Sequence, residues 1–514
     1  MKRHLWILGV AALACVVLAP AAHAQYAEPY RSSLRSEFGE AAQQREALRG
    51  GLFEARIDAA TYYVQNFELT PDSQNPVDQF GLELAPGFYA AYSSARARGA
   101  IDYAVIGRTW EDSDYDEVTQ RLAANGLYTI VPDLLFVQGS AGYADAPVDP
   151  TRSANYGNYG IFDPGNLTDY TNVAVNPYLR RRMRDFQLDM SYTYGRVWYL
   201  DSPDDGSLDF SYQDSVDQSA TLSFGTADED RLLTMRTFYE WEFTEFDISP
   251  DYRYEGLGGE LGYLVLESVR LLAGGGVESD LEESTVDGGL GSGFWYGGLL
   301  WTPDSRTRVE GRYGQRFFGD TWMLTASREV RFLTFTASYR EDPTVETRNV
   351  DMGVIDPGNL PTDPSASDPA YLNSLPYIAK NAEVSVIAEG ARTRISLRGY
   401  QYKNDYFAAN VPESTTLGAQ FRVVRDFTAN TYGEFSFQYD DVENAVGYVA
   451  TDPIVDPDAL TVDSYQDQQY LLRVTYEAWL NLSPSFEVGY LERTGQAADN
   501  YDGYWLALRA RYTF

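Results

Sequence analysis

The sequence predicts an all-β fold, a transmembrane antiparallel up-and-down β-barrel of about 22 strands, with 18 or 20 strands as the alternatives. Segments in which apolar and polar residues alternate recur along the chain, which is the pattern of strands with one apolar face. Aromatic residues make up 14% of the chain, while the mean hydropathy is −0.36. Many aromatic residues without long apolar runs suit barrel strands that end in aromatic girdles, whereas a disordered chain would be poor in aromatic residues.

The N-terminus predicts a secretory signal peptide, residues 1–24. Met1-Lys-Arg-His is positively charged, the segment from Leu5 to Leu18 is apolar, and Ala22-His23-Ala24 forms an A-x-A cleavage site. We therefore expect the mature chain to begin at Gln25.

The mature chain is predicted to comprise two parts. Residues 25–51 form a periplasmic N-terminal segment, in which the apolar stripe of residues 33–49 suits either one short helix or a flexible leader. Residues 52–514 form the outer-membrane β-barrel. Residues 185–194 show the strand alternation most clearly. Their apolar face would carry Phe186, Leu188, Met190, Tyr192 and Tyr194.

Cysteine and histidine are expected to be missing from the mature chain, which removes most familiar catalytic and metal-binding chemistry. Cys15, His4 and His23 are the only residues of these types, and all three lie in the predicted signal peptide. This excludes Ser-His-Asp and Cys-His catalysis and imidazole or thiolate metal sites. We predict no enzymatic activity, no cofactor and no metal site. The remaining enzymatic alternative is a carboxylate-dependent hydrolase of surface polysaccharide, although no spacing indicates such a carboxylate pair.

The net charge argues against nucleic acid as a partner. Without Lys2 and Arg3 of the signal peptide, the chain carries 38 basic and 75 acidic residues, a net charge of −37. Binding to a phosphate backbone depends on a basic surface, so we expect no nucleic-acid partner.

The last eleven residues predict the closing strand of the barrel. One face would carry Tyr504, Leu506, Leu508, Ala510, Tyr512 and Phe514, and the other face Trp505, Ala507, Arg509, Arg511 and Thr513. The apolar face suits lipid, and the face with two arginines suits the lumen. A terminal aromatic residue resembles the signal read by the barrel-assembly machinery, so we predict that Tyr512 and Phe514 form such a signal.

The connections predict the topology. With Phe514 at the periplasmic end, short turns alternate with longer outer loops backwards along the chain, and the count reaches 22 strands with both termini periplasmic. The longest outer loops are predicted at residues 145–169, 341–380 and 440–467. Outer-membrane lipid and lipopolysaccharide are the predicted partners around the barrel. Two of these loops contain a repeat, Ile161-Phe-Asp-Pro-Gly-Asn-Leu and Val354-Ile-Asp-Pro-Gly-Asn-Leu. The repeat is either a favoured turn used twice or a duplicated surface feature that constricts the pore.

Arginine residues recur on the strand face opposite the apolar one. An arginine that faced lipid near the middle of the membrane would cost about 2–4 kcal/mol, so these side chains are assigned to the lumen. The predicted lumen-lining residues are Arg306, Arg308, Glu310, Arg312, Arg394, Arg398, Arg422, Arg509 and Arg511. Two roles remain open. The arginines brace the wall by pairing with acidic residues such as Asp185, Asp189 and Glu383, or they line a path for an anionic solute or polysaccharide.

One central stretch resembles a known family. It runs Trp301-Thr-Pro-Asp-Ser-Arg-Thr-Arg-Val-Glu-Gly-Arg-Tyr-Gly-Gln-Arg-Phe-Phe-Gly319 and continues with Ala326-Ser-Arg-Glu-Val-Arg331 and Ala337-Ser-Tyr-Arg-Glu-Asp342. This succession of W-x-P-x-x-R-T, R-F-F-G and S-Y-x-E-D is similar to that of outer-membrane barrel proteins associated with the PEP-CTERM/exosortase system. Val131-Pro-Asp-Leu-Leu-Phe136 and Val175-Asn-Pro-Tyr178 add to the resemblance, which covers nearly all of the predicted mature chain.

The resemblance implies an outer-membrane location in a Gram-negative bacterium and a link to exopolysaccharide production or protein sorting. We expect a porin-like conduit or accessory in exopolysaccharide or surface-protein export, with exopolysaccharide export components as partners. The alternative is a structural or adhesive barrel with a plugged lumen. A TonB-dependent receptor is not expected, because fewer than 30 residues between the signal peptide and the first strand leave no room for a plug domain.

Overall fold

The computed structural model describes residues 50–69, 76–147, 167–199, 214–228, 230–247, 251–281, 290–345, 376–407, 411–448, 460–477, 481–495 and 500–514. These residues form 22 β-strands and a 3-10 helix at Ser113–Tyr115. The described residues include no helix with the length and apolar character needed to cross a membrane. The predicted signal peptide, the N-terminal segment up to residue 49 and, apart from Leu167, both copies of the repeat lie outside the described residues.

The strands differ in length but follow one another without interruption by other domains in the described residues. The first eleven are β1 (Gly50–Val64), β2 (Gln79–Ser93), β3 (Ala97–Trp110), β4 (Glu117–Val131), β5 (Leu135–Pro147), β6 (Leu167–Arg182), β7 (Phe186–Tyr199), β8 (Ser215–Thr226), β9 (Leu233–Phe246), β10 (Tyr252–Leu266) and β11 (Val269–Ser279). The others are β12 (Leu290–Asp304), β13 (Thr307–Arg316), β14 (Gly319–Val330), β15 (Leu333–Thr344), β16 (Tyr377–Glu389), β17 (Thr393–Tyr406), β18 (Ser414–Asp426), β19 (Thr431–Tyr448), β20 (Leu460–Tyr476), β21 (Leu482–Gly495) and β22 (Tyr501–Thr513).

The strands close into one barrel. Each pairs antiparallel with the next strand along the chain, and β22 pairs antiparallel with β1. The seam register runs from Arg56 opposite Thr513 to Val64 opposite Trp505. Closure satisfies the backbone hydrogen bonds of both end strands, which is the condition for a sheet in lipid. The predicted all-β fold and the predicted number of 22 strands are confirmed.

The connections at the two ends of the barrel differ in length. At the end that holds Gly50 and Phe514, the gaps between strands are short, as at residues 94–96 and 331–332. At the opposite end they include 148–166 and 345–376. This is the predicted sorting into periplasmic turns and outer loops, and it follows from strand pairing, because short turns hold consecutive antiparallel strands in register.

Several strands extend further than the sequence pattern indicates. The predicted outer loop 440–467 contains the ends of β19 and β20, which still pair at Tyr448 and Leu460. Only about 9–11 tilted residues are needed to cross the hydrocarbon core, so β19, with 18 residues, continues well past it. Beyond the membrane an apolar face is no longer required, and the alternation fades before the hydrogen-bonded strand ends. The turn predicted at residues 481–484 is displaced along the chain, since β20 ends at Tyr476 and β21 already begins at Leu482.

Candidate functional site: the inner wall of the barrel

The two faces of the barrel wall are distinguished by exposure and by long-range contacts. On β22, Leu508 is 56% exposed, whereas Trp505 is 2% and Ala507 is 1% exposed. On the more buried face, Arg312 of β13 contacts Glu260 of β10 at 2.9 Å, although two strands lie between them. Side chains from such distant strands converge on the concave side of a closed sheet. We call this concave face the inner wall.

The predicted residues around β13 form a charge-paired cluster on the inner wall. Arg312 contacts Glu260 at 2.9 Å and Glu310 at 2.6 Å, and Arg308 contacts Glu310 at 3.4 Å. Arg306 lies exposed in the turn before β13, at the edge of this cluster. The positive charges of the cluster are therefore opposed by carboxylates within it.

The predicted arginines of β17 and β18 are paired in the same way. The guanidinium–carboxylate contacts are Arg394 with Glu389 at 2.6 Å, Arg398 with Glu383 at 3.0 Å and Arg422 with Glu434 at 2.6 Å. The other two acidic residues suggested as bracing partners contact different arginines near the periplasmic turns. Asp185 contacts Arg231, and Asp189 contacts Arg180 at 2.9 Å.

Arg511 of the closing strand belongs to an ion-pair row that crosses the seam. It contacts Asp58 of β1 at 2.6 Å, and Asp58 lies 3.3 Å from Arg56. Arg56 in turn contacts Asp102 of β3 at 2.6 Å. The row links β22 to β3 and so braces the place where the barrel closes.

Arg509 lies one step further along the closing strand and contacts an aromatic ring. Its guanidinium carbon is 5.1 Å from the ring centroid of Tyr62, a cation–π distance. Glu487 of β21 lies 4.0 Å away and also accepts a hydrogen bond from the Trp505 indole at 2.8 Å. Arg509 and Arg511 thus both hold β22 to its neighbours.

Sequence analysis missed a further set of buried ion pairs towards the outer end. They are Arg108 with Glu83 at 2.9 Å and Glu117 at 2.5 Å, Arg316 with Glu278 at 2.8 Å, and Arg493 with Asp467 at 2.6 Å. Arg316 had a detectable signal, because it continues the even-numbered row of Arg308 and Arg312 along β13. The others lie where the apolar alternation has faded.

Two phenylalanines pack against the inner wall above a glycine, with their ring planes tilted by 32° to each other. The ring centroids of Phe238 on β9 and Phe294 on β12 are 6.3 Å apart, although three strand spacings, about 14 Å, separate these strands. The rings therefore reach towards each other across the intervening strands. A Cβ atom at Gly258 of β10 would lie 2.6 Å from Phe238 and 2.7 Å from Phe294. Because Gly258 has no side chain, both rings can pack against the backbone of the wall at this position.

Tyr296 extends this arrangement. Its ring is nearly parallel to that of Phe294, at an interplanar angle of 5° and a centroid distance of 6.5 Å. It crosses β11 above Gly274, where a Cβ atom would lie 2.3 Å from the ring. Its hydroxyl donates to Glu260 at 2.8 Å, and Arg312 lies 5.0 Å from its ring centroid. We call Phe238, Phe294 and Tyr296 the aromatic platform.

The start of the first outer connection, residues 65–69, packs against the inner wall at the outer end of the barrel. Phe67 is fully buried, with its ring centroid 4.5 Å from that of Trp110 and 5.1 Å from that of Tyr115. The hydroxyl of Tyr115 donates to Glu68, and this hydrogen bond raises the pKa of Tyr115 to about 12. Residues 65–69 are thereby fixed to the 3-10 helix and pack against the inner wall beside β1 and β3.

A second apolar cluster lies on the other side of the outer end. Its buried members are Phe246, Tyr252, Tyr254, Leu281 and Val345, with Phe317 and Phe407 packed against them. These residues come from strands β9 and β10 and from connections that follow β11, β13, β15 and β17. The inner wall near the mouth thus combines apolar clusters with buried ion pairs such as Arg316 with Glu278.

The two residues predicted as an assembly signal lie on the outer face at the periplasmic end. Tyr512 is 42% and Phe514 is 66% exposed, and their ring centroids are 4.9 Å apart in an edge-to-face arrangement. The backbone N–H of Phe514 donates to the carbonyl oxygen of Ala55 at 2.9 Å, so the end of the chain is held against β1.

Metal-ion chemistry has no prepared site in the part of the chain that the structure describes. There, no group of three or more histidine, cysteine, aspartate or glutamate residues is arranged to hold a metal ion. Acidic residues of the inner wall such as Glu260, Glu310 and Glu487 instead contact arginines.

The fold and the two faces define the class of protein. A closed antiparallel barrel of 22 strands, with exposed apolar side chains outside and ion pairs inside, is an outer-membrane β-barrel protein of a Gram-negative bacterium. The predicted localisation is therefore confirmed. No protein-family model matches the chain, and no curated protein matches it in sequence.

Solved structures resemble the chain in fold. P. aeruginosa FpvA bound to heterologous pyoverdines has 12% identity and a TM-score of 0.47, covering 90% of this chain and 72% of that chain. The FrpB iron transporter from Neisseria meningitidis has 10% identity and a TM-score of 0.46, covering 90% and 82%. The ferric enterobactin receptor PfeA from Pseudomonas aeruginosa has 10% identity and a TM-score of 0.45, covering 90% and 80%. At these identities and scores the likeness concerns the fold alone.

Proposed function

We propose that this chain is a porin-like conduit through the outer membrane that serves, or assists, the export of exopolysaccharide or of a surface protein linked to an exosortase system. The observation that carries the proposal is the inner wall, which is lined by ion pairs such as Arg312 with Glu260 and Arg398 with Glu383. Charged side chains on this face require water or counter-charges, and a wet interior is the basis of a conduit.

The width of the barrel suits a large solute. Strands spaced by about 4.8 Å and tilted by about 40° place the backbones of a 22-stranded wall roughly 40 Å apart. Barrels of 16–18 strands already leave an aqueous channel, so 22 strands can admit a polymer once inner side chains and loops are accommodated. A channel limited only by the barrel wall would therefore pass solutes much larger than single ions.

The ion pairs favour bracing as the role of the arginines. A path for an anionic solute needs fixed positive charge in excess, as in a ring of unopposed arginines or lysines. Here Arg312 faces two carboxylates, Glu260 and Glu310, and Arg511 faces Asp58. We propose that these arginines stiffen a wide wall and leave the conduit weakly selective for charge.

The export link rests on the central stretch that resembles the PEP-CTERM/exosortase-associated barrels. Residues 301–342 extend from the end of β12 through β15, and they include Arg308, Arg312 and Arg316 of the inner wall. The resemblance therefore falls on part of the charged wall and is not confined to turns. Exopolysaccharide export components are the partners that this proposal requires.

Planar-bilayer recording of the purified protein tests the conduit. Discrete conductance steps are expected, and a silent membrane would contradict an open conduit. Deletion of the gene in its host tests the export link separately. Exopolysaccharide or sorted surface protein should fall in the medium or on the cell surface, and unchanged amounts of both would argue against the link while leaving a general porin.

A plugged structural or adhesive barrel is the second candidate, and the packing at the mouth favours it. Phe67 and Val345 are both fully buried in clusters near the outer end of the inner wall. If such packing continues across the opening, the barrel is closed to solutes. Bilayer conductance that stays absent in the wild type and appears when Phe67 is replaced by alanine would identify this case.

A further inference from the structure

The aromatic platform on the inner wall has the properties of a carbohydrate-binding surface. We propose that Phe238, Phe294 and Tyr296 bind the sugar rings of a polysaccharide within the barrel, with Glu260 and Arg312 contacting its hydroxyl groups. This inference rests on the proposed conduit, of which it names the substrate class and a site of contact.

The geometry matches the surface chemistry of a pyranose. A pyranose ring presents C–H groups on its faces and hydroxyl groups around its edge, so it stacks on a flat apolar surface and hydrogen-bonds sideways. The rings of Phe294 and Tyr296 are parallel within 5° with centroids 6.5 Å apart, so two rings of the same orientation lie at neighbouring inner positions of β12. Polar groups at the rim of an aromatic surface then set orientation and specificity. Glu260 accepts and Arg312 donates at that rim.

The platform differs from other aromatic–glycine contacts of the same wall in being open. Trp505 lies above Gly489 and Tyr400 above Gly418, where a Cβ atom would lie 2.0 and 2.3 Å from the respective rings. Trp505 and Tyr400 are 2% and 7% exposed, so those rings are packing elements.

Phe238, Phe294 and Tyr296 also cover glycines, but all three remain half-buried. Each ring rests on the wall over a glycine and keeps part of its surface exposed, unlike the rings of Trp505 and Tyr400. Arg312 lies over the ring of Tyr296 in a cation–π contact, with its guanidinium carbon 5.0 Å from the ring centroid, so a bound sugar would meet Arg312 together with this ring.

Conductance blocking by a neutral oligosaccharide tests the proposal. The full-length protein in a planar bilayer is exposed to cellohexaose and, separately, to maltohexaose, and the blocking constant is obtained from current interruptions. Phe294→Ala and Tyr296→Ala should each weaken blocking roughly tenfold, the loss expected from one ring contact together with its buried area. Trp295→Ala is the matched control, because Trp295 lies between them on β12 but faces outwards and is 52% exposed.

A glycine variant separates the platform from a simple loss of aromatic area. Gly274→Ala keeps all three aromatic rings but places a Cβ atom 2.3 Å from the ring of Tyr296. The ring must then move away, and its hydroxyl loses the hydrogen bond to Glu260. Gly297→Ala adds the same methyl group on β12 where no atom lies within 4 Å. Blocking should weaken severalfold with Gly274→Ala and stay at the wild-type level with Gly297→Ala. Heat modifiability on gels verifies that each variant has folded.

The outcomes distinguish this inference from the proposed conduit. Fluorescence titration of the detergent-solubilised protein with the same two sugars measures binding without conductance. If the bilayer stays silent but the protein binds sugar, and Tyr296→Ala weakens that binding, the conduit is overturned and the platform is supported. A conducting barrel that neither sugar blocks or binds, or equal blocking in the Phe294→Ala, Tyr296→Ala and Trp295→Ala variants, overturns the platform and leaves the conduit.

Discussion

Arg511 on the last strand and Asp58 on the first strand form an ion pair at 2.6 Å across the seam of the barrel. Both side chains are shielded, with 23% and 21% of their surface exposed. Every other pair of neighbouring strands is consecutive along the chain and therefore covalently connected. At the seam, β1 and β22 are held together by strand pairing and side-chain contacts alone. An ion pair at this place contributes to closure as well as to local packing.

Removal of the seam ion pair should destabilise the barrel. Arg511→Ala leaves Asp58 partly buried with Arg56 as its remaining cationic neighbour, and we expect a loss of about 1–2 kcal/mol in the free energy of unfolding. Urea unfolding in lipid vesicles measures it. Arg306→Ala is the control, because Arg306 is exposed in a turn and should change stability by less than about 0.5 kcal/mol. Equal losses in the two variants would mean that the pair does not brace the seam.

A methyl group at Gly489 should destabilise the inner wall. A Cβ atom there would lie 2.0 Å from the buried ring of Trp505, whose indole N–H donates to Glu487 at 2.8 Å. Displacement of the ring costs packing and this hydrogen bond, so Gly489→Ala should reduce the free energy of unfolding by about 1–3 kcal/mol. Gly297→Ala adds a methyl group in open space and should be close to neutral. Urea unfolding, monitored by tryptophan fluorescence, measures the free energy of unfolding of both variants.

The barrel could be predicted from the sequence because its signal is local. Alternation within residues 185–194 and 504–514 assigns side chains to two faces without knowledge of any neighbouring strand. The turn and loop lengths then give the order and the number of strands. The strand ends were less predictable, because hydrogen-bonded pairs such as Tyr448 with Leu460 continue where no apolar face is needed.

Which arginine pairs with which carboxylate on different strands could not be predicted, because these contacts depend on register between strands. Arg312 contacts Glu260, which lies far back along the chain on β10. The platform is harder still to find, since the orientation of Tyr296 depends on the absence of a side chain at Gly274 on the next strand. Glycines within strands indicate a close approach of some group but do not identify it. The row of same-parity arginines in β13 was visible together with Glu310, whereas its partner Glu260 on β10 was not.

Charge balance on the inner wall predicts the effect of single substitutions on ion selectivity. Arg312→Ala removes one positive charge and leaves Glu260 and Glu310 less opposed, so the conduit should become more selective for cations. Glu310→Gln should shift the selectivity towards anions. Reversal potentials in a salt gradient across a planar bilayer measure both shifts. The wild type could prefer anions and keep this preference in the double variant with Arg308→Ala and Arg312→Ala. That result would exclude these two arginines as an anion path.

Opening of the first outer connection should increase conductance. Phe67 fills the space between Trp110 and Tyr115 and is fully buried, so Phe67→Ala should release residues 65–69 from the wall with a local cost of about 3 kcal/mol. The expected result is a larger single-channel conductance and faster proteolysis in this connection. Phe80→Ala, at a ring that is 49% exposed, should change neither quantity. Unchanged conductance in Phe67→Ala would show that this connection does not narrow the path.

Assembly should depend on the last aromatic residue and not on exposed aromatic residues in general. Phe514 is 66% exposed at the periplasmic end, and its contact with Tyr512 presents both rings together on the outer face. We propose that the barrel-assembly machinery recognises this pair, so Phe514→Ala should reduce the amount of heat-modifiable barrel in outer-membrane fractions severalfold. Phe332→Ala is the matched control, because Phe332 is 55% exposed in a turn at the same end of the barrel.

The stability of the assembled barrel decides between recognition and packing as the cause of such a loss. The ring of Phe514 is largely exposed, so its removal should leave the midpoint of urea unfolding unchanged in barrel that has assembled. A reduced yield with an unchanged midpoint supports recognition during assembly. A midpoint that falls together with the yield would show instead that the ring of Phe514, which contacts Tyr512, stabilises the end of β22.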